Sequence, residues 1–131
     1  MIVIDTHVLV WWINQSDNLS PKAQKCIQNE IKTSAILVSS ISVWEICMLV
    51  NRGKIKLSMD ISDWITKIEQ HSFIKFIPVD NDIAAKSVNL PNPLHQDPAD
   101  RIIIATTMIH NATLITKDKL IRGYPHINSL W

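Results

Sequence analysis

Two glycines, two cysteines and no long apolar run set the first limits on this chain. With only Gly53 and Gly123 available, neither GxGxxG nor GxxxxGK(S/T) can be assembled, which excludes the glycine-loop ways of cradling a phosphate. The nucleophile elbow GxSxG and the zinc helix HExxH are missing as well. Cys26 and Cys47 form no CxxC pair and lie in helix-like segments, so they read as buried free thiols of a cytosolic protein. No apolar run approaches the roughly 20 residues of a membrane span. The first residues carry neither a basic leader nor a small-residue cleavage site, so a cytoplasmic protein with no membrane partner is the expectation. The formal charge of +1 neither advertises a nucleic-acid binder nor excludes one, because an acidic pocket can cancel a basic rim in the sum.

What remains is a chain of 131 residues, 47% apolar and 19% charged, which fits a single domain over 1–131 with a core of its own. Four short segments are apolar at every position or nearly so: 2–4, 35–39, 73–79 and 113–116, with a weaker fifth at His126–Ile127. Helix-period segments lie between them. Segment 20–32 opens with Ser20 as N-cap and Pro21 at its first position, and 42–53 closes at Gly53. Segments 62–71 and 81–90 follow, and 97–110 opens on Asp97 and Pro98. Strands without polar alternation, separated by helices, indicate a parallel sheet covered on both faces. The expected fold is a three-layer α/β/α sandwich around a mainly parallel sheet of four to five strands. Ligands of such folds sit at the carboxyl ends of the strands.

Five acids fall at that edge. Asp5 follows the first strand, Asp118 follows the strand 113–116, Asp97 and Asp100 open the long helix, and Glu45 lies in the helix after 35–39. Helix capping alone accounts well for Asp5, Asp97 and Asp118, and Asp100 resembles the acidic half of a capping box. Glu45 resists that account. Its neighbours at helical spacing are Ile41, Ser42, Met48 and Leu49, and an unpaired carboxylate is costly to bury among them. Clustered carboxylates repel unless a cation intervenes, and an all-oxygen set selects Mg²⁺ or Mn²⁺ over zinc. That equipment serves phosphoryl chemistry, so the residues by themselves indicate a Mg²⁺-dependent phosphotransferase or phosphodiesterase.

Segments "IDTHVLVWW", "SSISVWEICMLVNRGKIKL", "LPNPLHQDPADRIIIATT" and "LITKD" together resemble the PIN-domain ribonucleases, and most closely the VapC-type toxins of bacterial type II toxin–antitoxin systems. The resemblance spans essentially the whole chain, with its segments in the family's order. It implies a PIN-like sandwich and a Mg²⁺- or Mn²⁺-dependent endoribonuclease that leaves a 5′-phosphate and a 3′-hydroxyl. Asp5, Glu45, Asp100 and Asp118 match the family's four acids, both catalytic and metal-ligating. Thr6 and Thr116 match hydroxyls that orient metal-bound waters or a carboxylate, and Asp97 takes a secondary place near the site. Implied partners are an RNA substrate, a cognate antitoxin that silences the enzyme, and a second copy of the chain.

Other residues carry weaker expectations. His7 and His95 lie close in sequence to Asp5 and Asp100, with a buried or rim position expected for His7. Arg101 is expected to pair with Asp97 or a neighbouring carboxylate, or to reach a phosphate. Two basic groups, Arg52, Lys54 and Lys56, and Lys117, Lys119 and Arg122, suit either a rim tracking RNA or scattered surface charge. Trp11, Trp12, Trp44 and Trp64 read as core or interface, and adjacent Trp11 and Trp12 must face different ways. Helix 42–52 is apolar almost all round, more than one buried stripe requires, which suggests a groove or partner contact. Two competing readings are a phosphatase-like hydrolase using Asp5 as nucleophile and a non-catalytic interaction module of the same fold. The first usually has a second aspartate where this chain has His7, and the second would lack acids that are all present.

Overall fold

The computed structural model describes residues 1–131. Five strands, β1 (Ile2–Ile4), β2 (Ile36–Ser39), β3 (Ile74–Ile77), β4 (Thr113–Ile115) and β5 (Asn128–Leu130), form one sheet in the order β3-β2-β1-β4-β5. Every pairing in it is parallel. Seven helices connect and cover the strands: α1 (Thr6–Ile13), α2 (Pro21–Glu30), α3 (Ile41–Asn51), α4 (Ile61–Glu69), α5 (Asn81–Val88), α6 (Pro98–Ile109) and α7 (Lys119–Arg122). None is long and apolar enough to cross a membrane.

The inner strands β1, β2 and β4 are largely apolar on both faces because each face has its own core. Ile2, Ile4, Ile36, Val38 and Ile115 pack on one side with Val8 and Leu9 of α1, Ile27 of α2, Ile46 of α3 and Ile68 of α4. Val3, Leu37 and Leu114 point the other way, onto Ile83 of α5, Ile103 and Ile104 of α6, Ile121 of α7 and Tyr124. This is the period-2 alternation of a strand sandwiched between two helical layers. Burying each such side chain stabilises the fold by roughly 2 kcal/mol, so the sheet is held from both sides.

Local chemistry sets the helix ends. Ser20 caps α2 by accepting from the Ala23 amide, and Asp97 caps α6 by accepting from the Asp100 amide. Gly53, at φ +68°, ends α3 in the left-handed region that glycine enters without strain. The fifth strand is displaced from its expected place, lying at Asn128–Leu130 rather than His126–Ile127. It is an edge strand of mixed polarity, so its pairing to β4 leaves little mark in hydropathy. The sequence pattern also misses α7, which is too short to show a helical period. Trp64 is buried and Trp12 packs on Phe73, but Trp44 stands 56% exposed on α3. Both thiols are free and half-buried rather than buried.

β1 occupies the middle of the sheet. From it the chain runs outward through β2 to β3, then returns to β1's other side for β4. The crevice between the carboxyl ends of β1 and β4 is therefore the topological switch point, where open parallel sheets bind ligands.

Candidate active site

A cleft of about 530 Å³ opens at that switch point. Asp5, Glu45, Asp97, Asp100 and Asp118 all line it, together with Thr6, His7, Trp11, Ile103 and Lys117. The five acids thus come from the end of β1, from α3, from the start of α6 and from the loop after β4. Lys117 is the one lysine or arginine among the lining residues.

The helix caps expected of the aspartates are present, and the same residues line the cleft. Asp5 caps α1 by accepting from the Val8 amide at 2.9 Å, and Asp118 caps α7 by accepting from the Leu120 and Ile121 amides through Oδ1. Asp97 Oδ2 accepts from the Asp100 amide at 3.0 Å. In Asp97 and Asp118 the bond to the helix occupies one oxygen and leaves the other without a protein partner. Asp100 behaves alike, with Oδ2 bonded to His95 Nε2 at 2.7 Å and Oδ1 free. Capping therefore orients these carboxylates without using up their capacity to bind something in the cleft. The N-termini of α1 and α6 also present the positive ends of their dipoles to the acids.

The electrostatics follow from crowding and burial. Burial pushes the Asp5 carboxyl above its ordinary range, opposed by hydrogen bonds from the Thr116 hydroxyl and Val8 amide and by His7, while Glu45 adds to the rise. Asp100 is pushed up to about 6, first by burial and then by Asp97 and Asp118, against the lowering influence of the His95 bond. Such shifts are what carboxylates show when like charges share a poorly solvated cleft. The donors are all oxygen, which suits a hard divalent cation. As they stand, no three of them are close enough together to hold an ion between them.

Thr6 and Thr116 are both buried, with different partners. The Thr6 hydroxyl donates to Ser42 Oγ at 2.9 Å, tying the start of α1 to α3 rather than touching a carboxylate. Thr116 accepts from the Asp118 amide through its hydroxyl, and the same hydroxyl lowers the Asp5 pKa, so it bears on two acids of the cleft. Glu45 is half-buried at the wall of the cleft and has no protein partner among hydrogen bonds or ion pairs. The apolar surroundings expected of it are relieved on the cleft side.

Arg101 differs from expectation. It pairs with no carboxylate and does not line the cleft. Its buried guanidinium donates to three carbonyls: Ser87 through Nε (2.8 Å), His95 through Nη1 (3.1 Å) and Val88 through Nη2 (3.3 Å). Ser87 and Val88 end α5, where carbonyls lack intrahelical partners. Arg101 thus caps one helix and clamps the loop that leads to the next, a role with no sequence signature. Tyr124 adds a second tie by donating to the Pro91 carbonyl at 2.8 Å. Of the two basic groups, only Lys117 reaches the cleft, its Nζ 5.8 Å from the centroid of the Trp11 ring. Arg52, Lys54 and Lys56 lie exposed elsewhere.

The chain matches the model of the PIN domain over residues 2–126. It is 30% identical to Ribonuclease VapC22 of Mycobacterium tuberculosis across 125 residues, 95% of this chain and 92% of that one. Among solved structures, VapBC2 from Rickettsia felis bound to a promoter DNA fragment superposes with a TM-score of 0.72 at 21% identity, covering 100% of this chain and 99% of that one. A toxin–antitoxin complex from Klebsiella pneumoniae gives 0.66 at 22% identity, covering 97% and 95%. The chain belongs to the PIN domain family and, within it, to the VapC group.

Proposed function

We propose that this chain is a metal-dependent endoribonuclease, the toxin of a type II toxin–antitoxin pair. In this reading Asp5, Glu45, Asp100 and Asp118 hold one or two Mg²⁺ ions, with Mn²⁺ able to replace them. The observation that carries the proposal is the convergence of carboxylates from four separate segments in one cleft at the sheet's switch point. The likeness to a relative named as a ribonuclease supports RNA as the substrate.

A divalent ion in such a set supplies a Lewis acid for the phosphate and lowers the pKa of the attacking water. The chain's own residues do the rest. A capping bond from the Val8 amide holds the Asp5 carboxylate, and the Thr116 hydroxyl accepts from the Asp118 amide. The unpartnered carboxylate oxygens are the bases available to take the proton of the water. Lys117, exposed at the mouth, is a cation for the RNA backbone. Attack of the water oxygen on phosphorus breaks the bond to the 3′ oxygen, leaving a 5′-phosphate and a 3′-hydroxyl. Trp44, exposed on α3 among half-buried apolar residues of the same helix, suits an antitoxin segment or a second copy of the chain.

RNA cleavage with and without Mg²⁺, comparing the wild type with Asp5→Asn and Asp100→Asn, tests the proposal. Cutting should need the ion and vanish in both variants. Metal-independent cutting, or full activity in both variants, would overturn it.

A further inference from the structure

We propose that His95 is a positioning residue for the metal site. It holds the Asp100 carboxylate in one orientation, so that Oδ2 is tied back and Oδ1 is offered to the ion. This rests on the metal-binding reading of the cleft given above.

Two observations carry it. The first is the 2.7 Å bond between His95 Nε2 and Asp100 Oδ2, with both side chains 22% exposed. An ionised carboxylate has no proton to give, so Nε2 carries the hydrogen and donates. The second is the other ring nitrogen. His95 Nδ1 is buried and has no hydrogen-bond partner. Buried polar atoms are nearly always satisfied, and one that is not requires a reason. Here the ring gives up a partner for Nδ1 while Nε2 keeps its short bond to the acid.

The backbone around His95 is built to hold that ring in place. Arg101 Nη1 donates to the His95 carbonyl, and the same guanidinium is anchored on Ser87 and Val88 at the end of α5. Arg101 follows Asp100 directly in α6. The helix that carries the acid therefore also carries the clamp for the loop that carries its partner. Without the histidine, the Asp100 side chain would have no hydrogen-bond partner, leaving only the bond its backbone amide donates to the Asp97 carboxylate. Metal-ligating groups oriented by an outer hydrogen bond typically lose about 10–100-fold in metal affinity when that bond is removed.

The test is calorimetric titration of Mn²⁺ into the metal-free protein at fixed pH, with cleavage measured as a function of Mn²⁺. Two variants separate orientation from packing. His95→Gln keeps an N–H near the position of Nε2, and His95→Leu keeps bulk without a donor. Asp100→Asn is the control for the metal site itself. The expected result is Mn²⁺ binding weakened about 10–100-fold in His95→Leu and largely restored in His95→Gln. Cleavage by His95→Leu should recover at saturating Mn²⁺. Wild-type affinity or tighter binding in His95→Leu would overturn the assignment, as would a His95→Gln variant as weak as His95→Leu. If Asp100→Asn binds Mn²⁺ like the wild type, the metal-site reading fails instead, whatever the histidine variants do.

Discussion

Helices α6 and α3 each give an acid to the same cleft, yet they are held in opposite ways. α6 starts on a side-chain cap and a proline, and buries seven of its twelve residues, Arg101 among them. α3 starts on Ser40 without a side-chain cap bond, and buries only Ser42 and Ile46 of its eleven residues. Asp100 is held by the His95 bond to its carboxylate and by its own amide donating to Asp97 Oδ2, whereas Glu45 has no protein partner. One wall of the cleft is thus preorganised and the other adjustable. In the proposed reading, a site built this way keeps a fixed acid for the ion while the glutamate adapts, and the helix that carries the glutamate leaves Trp44 exposed.

The largest expected effect separates the two acids by length. Asp100→Glu forces an extra methylene into the gripped corner and should lower RNA cleavage by on the order of 10³-fold, as a lost metal ligand would. Glu45→Asp, on the adjustable wall, should retain measurable cutting in the same assay. Equal losses would erase the distinction. Next comes the clamp itself. Arg101→Met leaves three carbonyls without their charged donor and should destabilise the fold by roughly 3 kcal/mol in urea unfolding.

A smaller effect concerns pH. Asp5 and Asp100 ionise in the fold above the ordinary value of 3.8, Asp100 at about 6. The folded protein therefore holds protons that the unfolded chain has released. The contribution of Asp100 to stability is whole below 3.8 and is lost as pH rises through about 6, and that of Asp5 declines in the same direction. Thermal unfolding of the metal-free protein should show this decline, and Asp100→Asn should flatten it, since an amide does not titrate. The smallest effect is expected at Trp44→Ser on the exposed face of α3, where stability should change by about 0.5 kcal/mol or less. A large loss there would mean that α3 is held as firmly as α6.

The same contrast explains how much was legible in the residues. Strands apolar on both faces gave away the parallel sheet, because two helical layers leave no room for a polar side. The N-cap residues Ser20 and Asp97 and the terminal Gly53 marked their helix ends through chemistry confined to a few neighbours. The four acids could be placed at one edge because that edge follows from the fold class. Arg101 could not be placed, since its partners are carbonyls six to fourteen residues away and a carbonyl leaves no trace in sequence. The bond from His95 to Asp100 was hidden for a related reason: a loop of several prolines decides whether the two meet. α7 and β5 were too short, or too mixed, for any period to register.

The pairing of β1 with β4 sets Ile4 opposite Ile115, and the Asp5 amide donates to the Ile115 carbonyl. The ladder works as a ruler for the chemistry beyond it. Asp5 and Thr116 are the next residues past the last rung on each strand, so their separation is measured by backbone hydrogen bonds rather than by side-chain packing. Core substitutions on either face can be absorbed without moving that spacing. A single inserted residue in β4 cannot, because a slip of one position reverses which side chains face each core and carries Thr116 away from Asp5.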